Sequence, residues 1–286
     1  MTDRQINRRV FGLASLLAGG CLWTSLHCAE EVRGDDALFG GSAGSIQVPI
    51  LSPRTIIRHR PHPKTGDAPV VSTVSLHPRQ SVVATGGDDH VVRVWDLASG
   101  QLLLELRGHD DWVRSVRFSP DGQRLATAAA DGRILLWDHQ SGRHLTPFAQ
   151  AGHPISAMQF TPDGNSIVIA GFRCEVMRYS LATGLVDRRF PTACGDMRSL
   201  DVSPDGRWLV GGGRNGHVRL WSLADGRVAH DIPAHRQRIR TVMFADDSRH
   251  IITAGEDRAI HKFDVATGEL VQRIPHPQAK ILACVM

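Results

Sequence analysis

The sequence predicts an all-β protein, and three series of residues carry that prediction. Aromatic residues Trp95, Trp137, Tyr179, Trp221 and Phe263 recur every 42 residues, and the chain's only Tyr fills one of the slots. Gly100, Gly142, Gly184, Gly226 and Gly268 keep the same step, in turns such as Ala98-Ser99-Gly100 and Gln140-Ser141-Gly142. Ser119-Pro120-Asp121-Gly122, Thr161-Pro162-Asp163-Gly164 and Ser203-Pro204-Asp205-Gly206 form the third series. Between these markers apolar and polar residues alternate, and Gly or Asp punctuation about every eight to twelve residues leaves no stretch for an amphipathic helix.

The first segment reads as an address. Arg4, Arg8 and Arg9 stand against one acid, Asp3, and residues 10–26 are apolar or small. That is the layout of an export signal, and it is short for a membrane-spanning helix. Asn7-Arg8-Arg9-Val10-Phe11-Gly12-Leu13 resembles a twin-arginine signal, with Gly12 where a larger apolar residue is usual. Cleavage is expected near Ala29-Glu30, so that residues 1–29 leave and no membrane span remains. Two other readings stay open: Leu17-Ala18-Gly19-Gly20-Cys21 resembles a lipoprotein signal that would anchor the chain by a lipid on Cys21, and the segment could stay as an uncleaved anchor. Residues 30–53, rich in Gly, Ser and acids, read as a flexible linker.

Each repeat then reads as four short strands. In the second unit Val113 to Phe118 alternates, Pro120-Asp121-Gly122 turns the chain, and Arg124 to Ala129 is the next strand. Asp131-Gly132 turns it again into Arg133 to Asp138, and Ser141-Gly142 leads to a last strand from Arg143 to Phe148. Seven units of 42 residues exceed the 286 available. A chain of this length allows one large domain or two ordinary ones, and the repeats resolve this as one domain over residues 54–286.

Gly108-His109 and Trp137-Asp138 bracket the best copy, and Gly152-His153, Ala234-His235 and Pro275-His276 are further or weaker copies of the first signature. With a period in the range of about 40 to 45 residues, this pattern resembles the WD40 (WD-repeat) β-propeller family. The resemblance implies a propeller of five full four-stranded repeats. Arg54 to His59 is expected as a lone fourth strand and Lys280 to Val285 as a lone first strand. These two ends either meet as a partial sixth blade or leave an incomplete ring, whose unpaired strand edges invite self-association.

The resemblance also implies a hydrogen-bonded set joining a loop His, a Ser or Thr on the second strand, a turn Asp and the Trp indole. By spacing, the second repeat supplies His109, Thr127, Asp131 and Trp137. The fifth has His235, Thr253 and Asp257 with Phe263 in place of Trp, and the first has Thr85, Asp89 and Trp95 with His62 reached through a longer loop. The fourth has Gly211, Asn215 and Trp221; the third departs most, with Ile169, Arg173 and Tyr179. A His-Asp-Thr trio repeated at one structural position is expected to hold loops together, not to catalyse.

No Cys-x-x-Cys-His, His-Glu-x-x-His or paired zinc motif occurs, so no metal, cofactor or catalytic residue is expected. With 33 basic and 29 acidic residues, the net charge of +4 is too even to point to nucleic acid, and three of the Arg lie in the signal. The function expected is a non-catalytic scaffold for a protein partner in the periplasm or outside the cell; a redox or ligand-binding propeller is the alternative. Trp112, Phe172, Arg173, Arg214, Asn215 and Arg238, on loops the family places at one end of the ring, are the expected contact surface, because exposed aromatic and Arg side chains anchor interfaces. Cys174 and Cys194, on the same face of adjacent blades by repeat position, are a candidate disulfide in an oxidising compartment.

Overall fold

The computed structural model describes residues 69–172, 175–192 and 195–275. The end strands at residues 54–59 and 280–285, His62, Arg173, Cys174 and Cys194 lie outside the described residues. Five four-stranded antiparallel sheets make up the fold, each with its strands in chain order. The first holds β1 (Val71–Leu76), β2 (Val82–Gly87), β3 (Val91–Asp96) and β4 (Leu102–Arg107). The second holds β5 (Val113–Phe118), β6 (Arg124–Ala129), β7 (Arg133–Asp138) and β8 (His144–Gln150). The third holds β9 (Ile155–Phe160), β10 (Ser166–Gly171), β11 (Val176–Ser180) and β12 (Val186–Phe190). The fourth holds β13 (Met197–Val202), β14 (Trp208–Gly213), β15 (His217–Ser222) and β16 (Val228–Pro233). The fifth holds β17 (Ile239–Phe244), β18 (His250–Gly255), β19 (Ala259–Asp264) and β20 (Leu270–Pro275).

The sheets stack face to face as blades, and the first strand of each packs beside the first strand of the next, in the series β1, β5, β9, β13, β17. Among the described residues no comparable packing joins β17 back to β1, so these five blades do not close a ring.

Period-2 patterning explains the packing. The middle strands are buried on both faces, because successive side chains point alternately to the preceding and the following blade. On β6, Leu125 joins a core with Val92, Val94 and Leu106 of the first blade, while Ala126 and Ala128 join Ile155, Met158 and Phe160 of the third. Equivalent cores lie between the third and fourth blades and between the fourth and fifth. Gly86, Ala128, Ala170, Gly212 and Ala254 share one repeat position, and all are small. At Gly212 an added Cβ would lie 2.8 Å from both Ile239 Cγ2 and Val242 Cγ1, so the approach of the next inner strand sets the size limit.

Inner strands have one edge without a strand partner, and side chains of the neighbouring blade bond to it. Thr73 Oγ1 accepts from Val116 N (3.2 Å) and Ser75 Oγ from Phe118 N (3.1 Å). In the same way Ser199 Oγ accepts from Val242 N (3.0 Å) and Asp201 Oδ2 from Phe244 N (2.7 Å); all four bonds span 43 residues. Asp201 also accepts from Gln159 Nε2 of the third blade (2.9 Å). Burial pushes the Asp201 carboxyl above the usual carboxylate range, against the pull of these bonds.

The turn between the second and third strands needs a left-handed residue. Gly132 and Gly216 take it with φ of 78° and 77°, but His90 and Arg258 fill the same slot with φ of 66° and 64°. A left-handed L-residue costs about 1–2 kcal/mol, and Gly's greater unfolded-state freedom returns about half of that. His90→Gly is therefore expected to stabilise the fold by about 0.5–1 kcal/mol in urea unfolding. Gly216→Ala, whose Cβ would lie 2.1 Å from the His235 carbonyl oxygen, should destabilise it by more than about 2 kcal/mol.

Candidate functional site

One end of the blade array is built from two kinds of loop that bond to each other. In the second blade, Ala130 N of the turn before β7 donates to Trp112 O of the loop entering β5 (3.0 Å). Phe172 N to Pro154 O, Arg214 N to Asp196 O and Glu256 N to Arg238 O repeat that bond in the third, fourth and fifth blades. Trp112, Phe172, Arg214, Asn215 and Arg238 therefore share this end.

Their exposure differs. Trp112 is 45% exposed, the one aromatic ring among the exposed large apolar side chains of the described residues, while Arg214 and Asn215 are also exposed. Phe172 is partly buried beneath the guanidinium of Arg198, 4.2 Å from the ring centre. Arg238 is partly buried with Nη1 4.0 Å from Glu256 Oε1. Sequence reasoning missed Arg114, which lies over the Trp112 ring at 4.5 Å, and Arg198 itself.

Beneath this end the His, Thr, Asp and Trp of the second blade meet. Trp137 Nε1 donates to Thr127 Oγ1 (2.9 Å), which lies 2.8 Å from His109 Nε2. His109 Nδ1 is 3.0 Å from Asp131 Oδ2, which also accepts from Asp110 N. The partners set the tautomer: the Thr127 hydroxyl donates to Nε2, and Nδ1–H donates to the carboxylate. Burial holds His109 below its ordinary pKa despite the nearby Asp131, so this contact is a hydrogen bond of a neutral ring. Burial acts to raise the Asp131 carboxyl, but the Arg133 and Asp110 N–H groups and His109 outweigh it and keep it ionised.

The other blades keep parts of this arrangement. In the fifth, His235 lies 2.8 Å from both Asp257 Oδ1 and Thr253 Oγ1. With Phe263 in the Trp slot, the His261 ring stacks on His235 at 4.4 Å. In the first, Trp95 Nε1 donates to Thr85 Oγ1 (3.0 Å) and Asp89 pairs with Arg93 at 2.6 Å. In the fourth, Gly211 has no hydroxyl to offer and an added Cβ there would lie 3.1 Å from the Trp221 ring; that indole donates instead to Pro191 O (2.9 Å). Asn215 Oδ1 accepts from His217 N, closing its own turn. In the third, Ile169 and Tyr179 occupy the Thr and Trp slots, and His153 Nδ1 is buried without a hydrogen-bond partner. Beside it a cleft of about 560 Å³ is lined by His153, Glu175, Met177, Tyr179, Leu185 and Arg189.

In the second blade the polar atoms of His109, Thr127, Asp131 and Trp137 bond to one another, and in the fifth His235 bonds to Thr253 and Asp257, so these side chains tie loop to turn. Among the described residues no group of three or more His, Cys, Asp or Glu is placed to hold a metal ion, and no helix is long and apolar enough to cross a membrane.

Thr127→Val removes the hydroxyl but keeps the shape, leaving both the Trp137 N–H and His109 Nε2 unpaired. At about 1–3 kcal/mol per buried orphaned group, it should cost about 3 kcal/mol, against about 1.5 kcal/mol for Thr253→Val, where only His235 loses a partner. Equilibrium urea unfolding of the two variants reads the difference. His109 and His235 have folded pKa values below the unfolded one, so the unfolded chain binds more protons as pH falls through about 6.5. Stability should therefore be full above that pH and decline below it. His109→Gln with His235→Gln should flatten that slope without removing it, since burial lowers His139 and His261 in the same direction.

Residues 70–284 match the family model described as the IFT122 first beta-propeller. Nuclear distribution protein PAC1 of Mycosarcoma maydis is 56% identical over 41 residues, 14% of this chain and 9% of that protein. The Lissencephaly-1 homolog of Dictyostelium discoideum is 49% identical over 41 residues, 14% of this chain and 10% of that protein. Coronin-7 of Homo sapiens is 33% identical over 97 residues, 32% of this chain and 10% of that protein. The chain thus spans about a tenth of the length of these curated relatives. Matches of 41 residues have the length of one repeat, so the likeness is to the repeat unit. Given that match along most of its length, the chain belongs to the family of the IFT122 first beta-propeller and is a WD40 repeat β-propeller.

Proposed function

We propose that this chain is an exported, non-catalytic scaffold that binds a protein partner through the loop end of its blades. Trp112 carries the reading: a large aromatic ring held 45% exposed, with the Arg114 guanidinium over it, on the end where Arg214 and Asn215 are also exposed. A soluble surface gains nothing by exposing such a ring, whereas Trp and Arg are the side chains that anchor interfaces once covered. Export rests on Arg8-Arg9 and the apolar run after them, with residues 1–29 as signal, 30–53 as linker and 54–286 as the repeat domain.

A second reading has one observation in its favour. The cleft between the second and third blades is of small-molecule size and has an unpartnered His153 Nδ1 beside it. It supports a ligand-binding propeller in the cell envelope, and a bound chromophore in the purified protein would favour that reading over the scaffold.

Cross-linking mass spectrometry in the native envelope tests the scaffold. Cross-links from this chain should converge on a protein partner and map to the loop end, and Trp112→Ala should weaken recovery of that partner by about tenfold or more. Cross-links scattered over all faces, or a partner retained in full by the variant, would overturn the assignment. The mass of the mature chain should correspond to a start at Glu30; a lipid-bearing Cys21 at its start would replace release with anchoring.

A further inference from the structure

Two residues depart from the repeat, and they depart at one interface. After the inner strands β1, β5, β9, β13 and β17 stand His77, Ser119, Thr161, Ser203 and Ala245, 42 residues apart. After the third strands β3, β7, β11, β15 and β19 stand Leu97, His139, Leu181, Leu223 and Val265, with the same step. A histidine replaces a small residue in the first series and an aliphatic one in the second. The two rings meet between the first and second blades, at the end opposite Trp112, with their Nε2 atoms 3.1 Å apart. Both are buried.

Hydrogen bonds fix where the protons sit. His77 Nδ1 accepts from Arg79 N (3.1 Å) and Gln80 N (2.9 Å), so the ring carries its proton on Nε2. That N–H faces both Gly122 O of the second-blade turn (3.0 Å) and His139 Nε2, which accepts. His139 therefore carries its proton on Nδ1, which is buried without a hydrogen-bond partner. A second proton on His139 has only Nε2 to occupy, where it would point at the Nε2–H of His77. The pair closes over Phe118, whose ring centre is 5.0 Å from His77 and 5.9 Å from His139. Phe118 belongs to the core between these two blades.

Among the described residues no carboxylate bonds to either ring, in contrast to Asp131 on His109 and Asp257 on His235. Asp121, on the turn that His77 meets, is taken by Ser119 Oγ (2.5 Å) and Gln123 N (2.9 Å), and Arg79 and Arg124 beside the pair are exposed. Burial and, after it, the charge of His77 hold the His139 ring below its ordinary pKa, and the pull of Asp138 does not outweigh them.

We infer that His77 and His139 form a proton-sensitive latch: acid parts the first blade from the second at this end while the other blades stay packed. A proton on His139 Nε2 sets two N–H groups against each other, and separation relieves that contact and lets water reach the charged ring. Stacked repeats permit such local opening, because each blade is held by its neighbours. The inference is independent of the scaffold reading.

The test is hydrogen exchange of the full chain at pH 7.5 and 5.5, read by mass spectrometry and divided by the rate of the unstructured chain at each pH. A histidine that takes up a proton only when the interface is open favours opening by about tenfold over this interval, from an unperturbed pKa near 6.5. Peptides from β1 and β2 should lose protection by about tenfold or more at pH 5.5. His139→Leu, which installs the residue of three other blades, should keep protection at pH 7.5 and cut that acid-induced loss by about tenfold. In peptides from β13 and β14 the same variant should change nothing. His77→Ser, the residue of two other blades, should give the same cut and serves if His139→Leu does not fold. Protection of β1 and β2 that ignores pH, or an acid-induced loss that survives the variant, would overturn the latch. An equal effect of the variant on β13 and β14 would overturn it too, because the pair would then titrate with the whole fold.

Discussion

An inner strand has an edge with no strand beside it, and its backbone N–H and C=O groups must still find partners. Here the neighbouring blade supplies them from side chains. Thr73 and Ser75 bond to the strand that begins at Val113, and Ser199 and Asp201 bond to the strand that begins at Ile239. The remaining architecture follows from this contact. It fixes each inner strand one repeat from the last, and that spacing brings the small residues at Gly86, Ala128, Ala170, Gly212 and Ala254 under the next blade. It also makes blade stability a property of neighbours, since the hydrophobic cores lie between blades and not within them.

The buried polar sets answer a second need. A loop that enters a blade carries backbone groups at the surface and must be tied to the turn beside it. In the second blade the tie runs without a break from the Trp137 indole through Thr127 and His109 to Asp131. Other blades lose members and replace them locally: a stacked His261 in the fifth, a backbone carbonyl for Trp221 in the fourth. The third blade loses most, and its His153 is left beside a cleft. A fixed fold can therefore relax the polar set blade by blade, because packing between blades carries most of the stability.

Much of the fold was legible because the repeat is written redundantly. Aromatic, turn Gly and Pro-Asp-Gly series agree on one period, and alternation within each unit allows only strands. The members of each polar set could also be named by offset, and His109, Thr127, Asp131 and Trp137 do meet. The loop end was less legible. Phe172 reads as an exposed aromatic from its turn position, yet Arg198 covers it; Arg238 reads as free, yet it lies beside Glu256. Arg198 gave no signal, since 26 residues separate it from the Phe172 ring it covers. One hint was available: Ser72, Arg114, Ser156, Arg198 and Arg240 break the alternation at one repeat position, which is what a bulge does to a strand.

Sequence alone determined the strand class, the number of whole repeats and the four residues of the second blade's polar set. These depend on periods of 2 and 42, which are properties of the chain taken locally. Only the tertiary structure decided which polar side chains cap an inner-strand edge, that Asp201 is buried enough for its carboxyl to be pushed above the usual range, and that Arg198 covers the Phe172 ring. Those facts depend on distances between residues one or two repeats apart, and the angle and spacing between blades set such distances. A period states that blades are alike; it does not state how near two of them place their side chains.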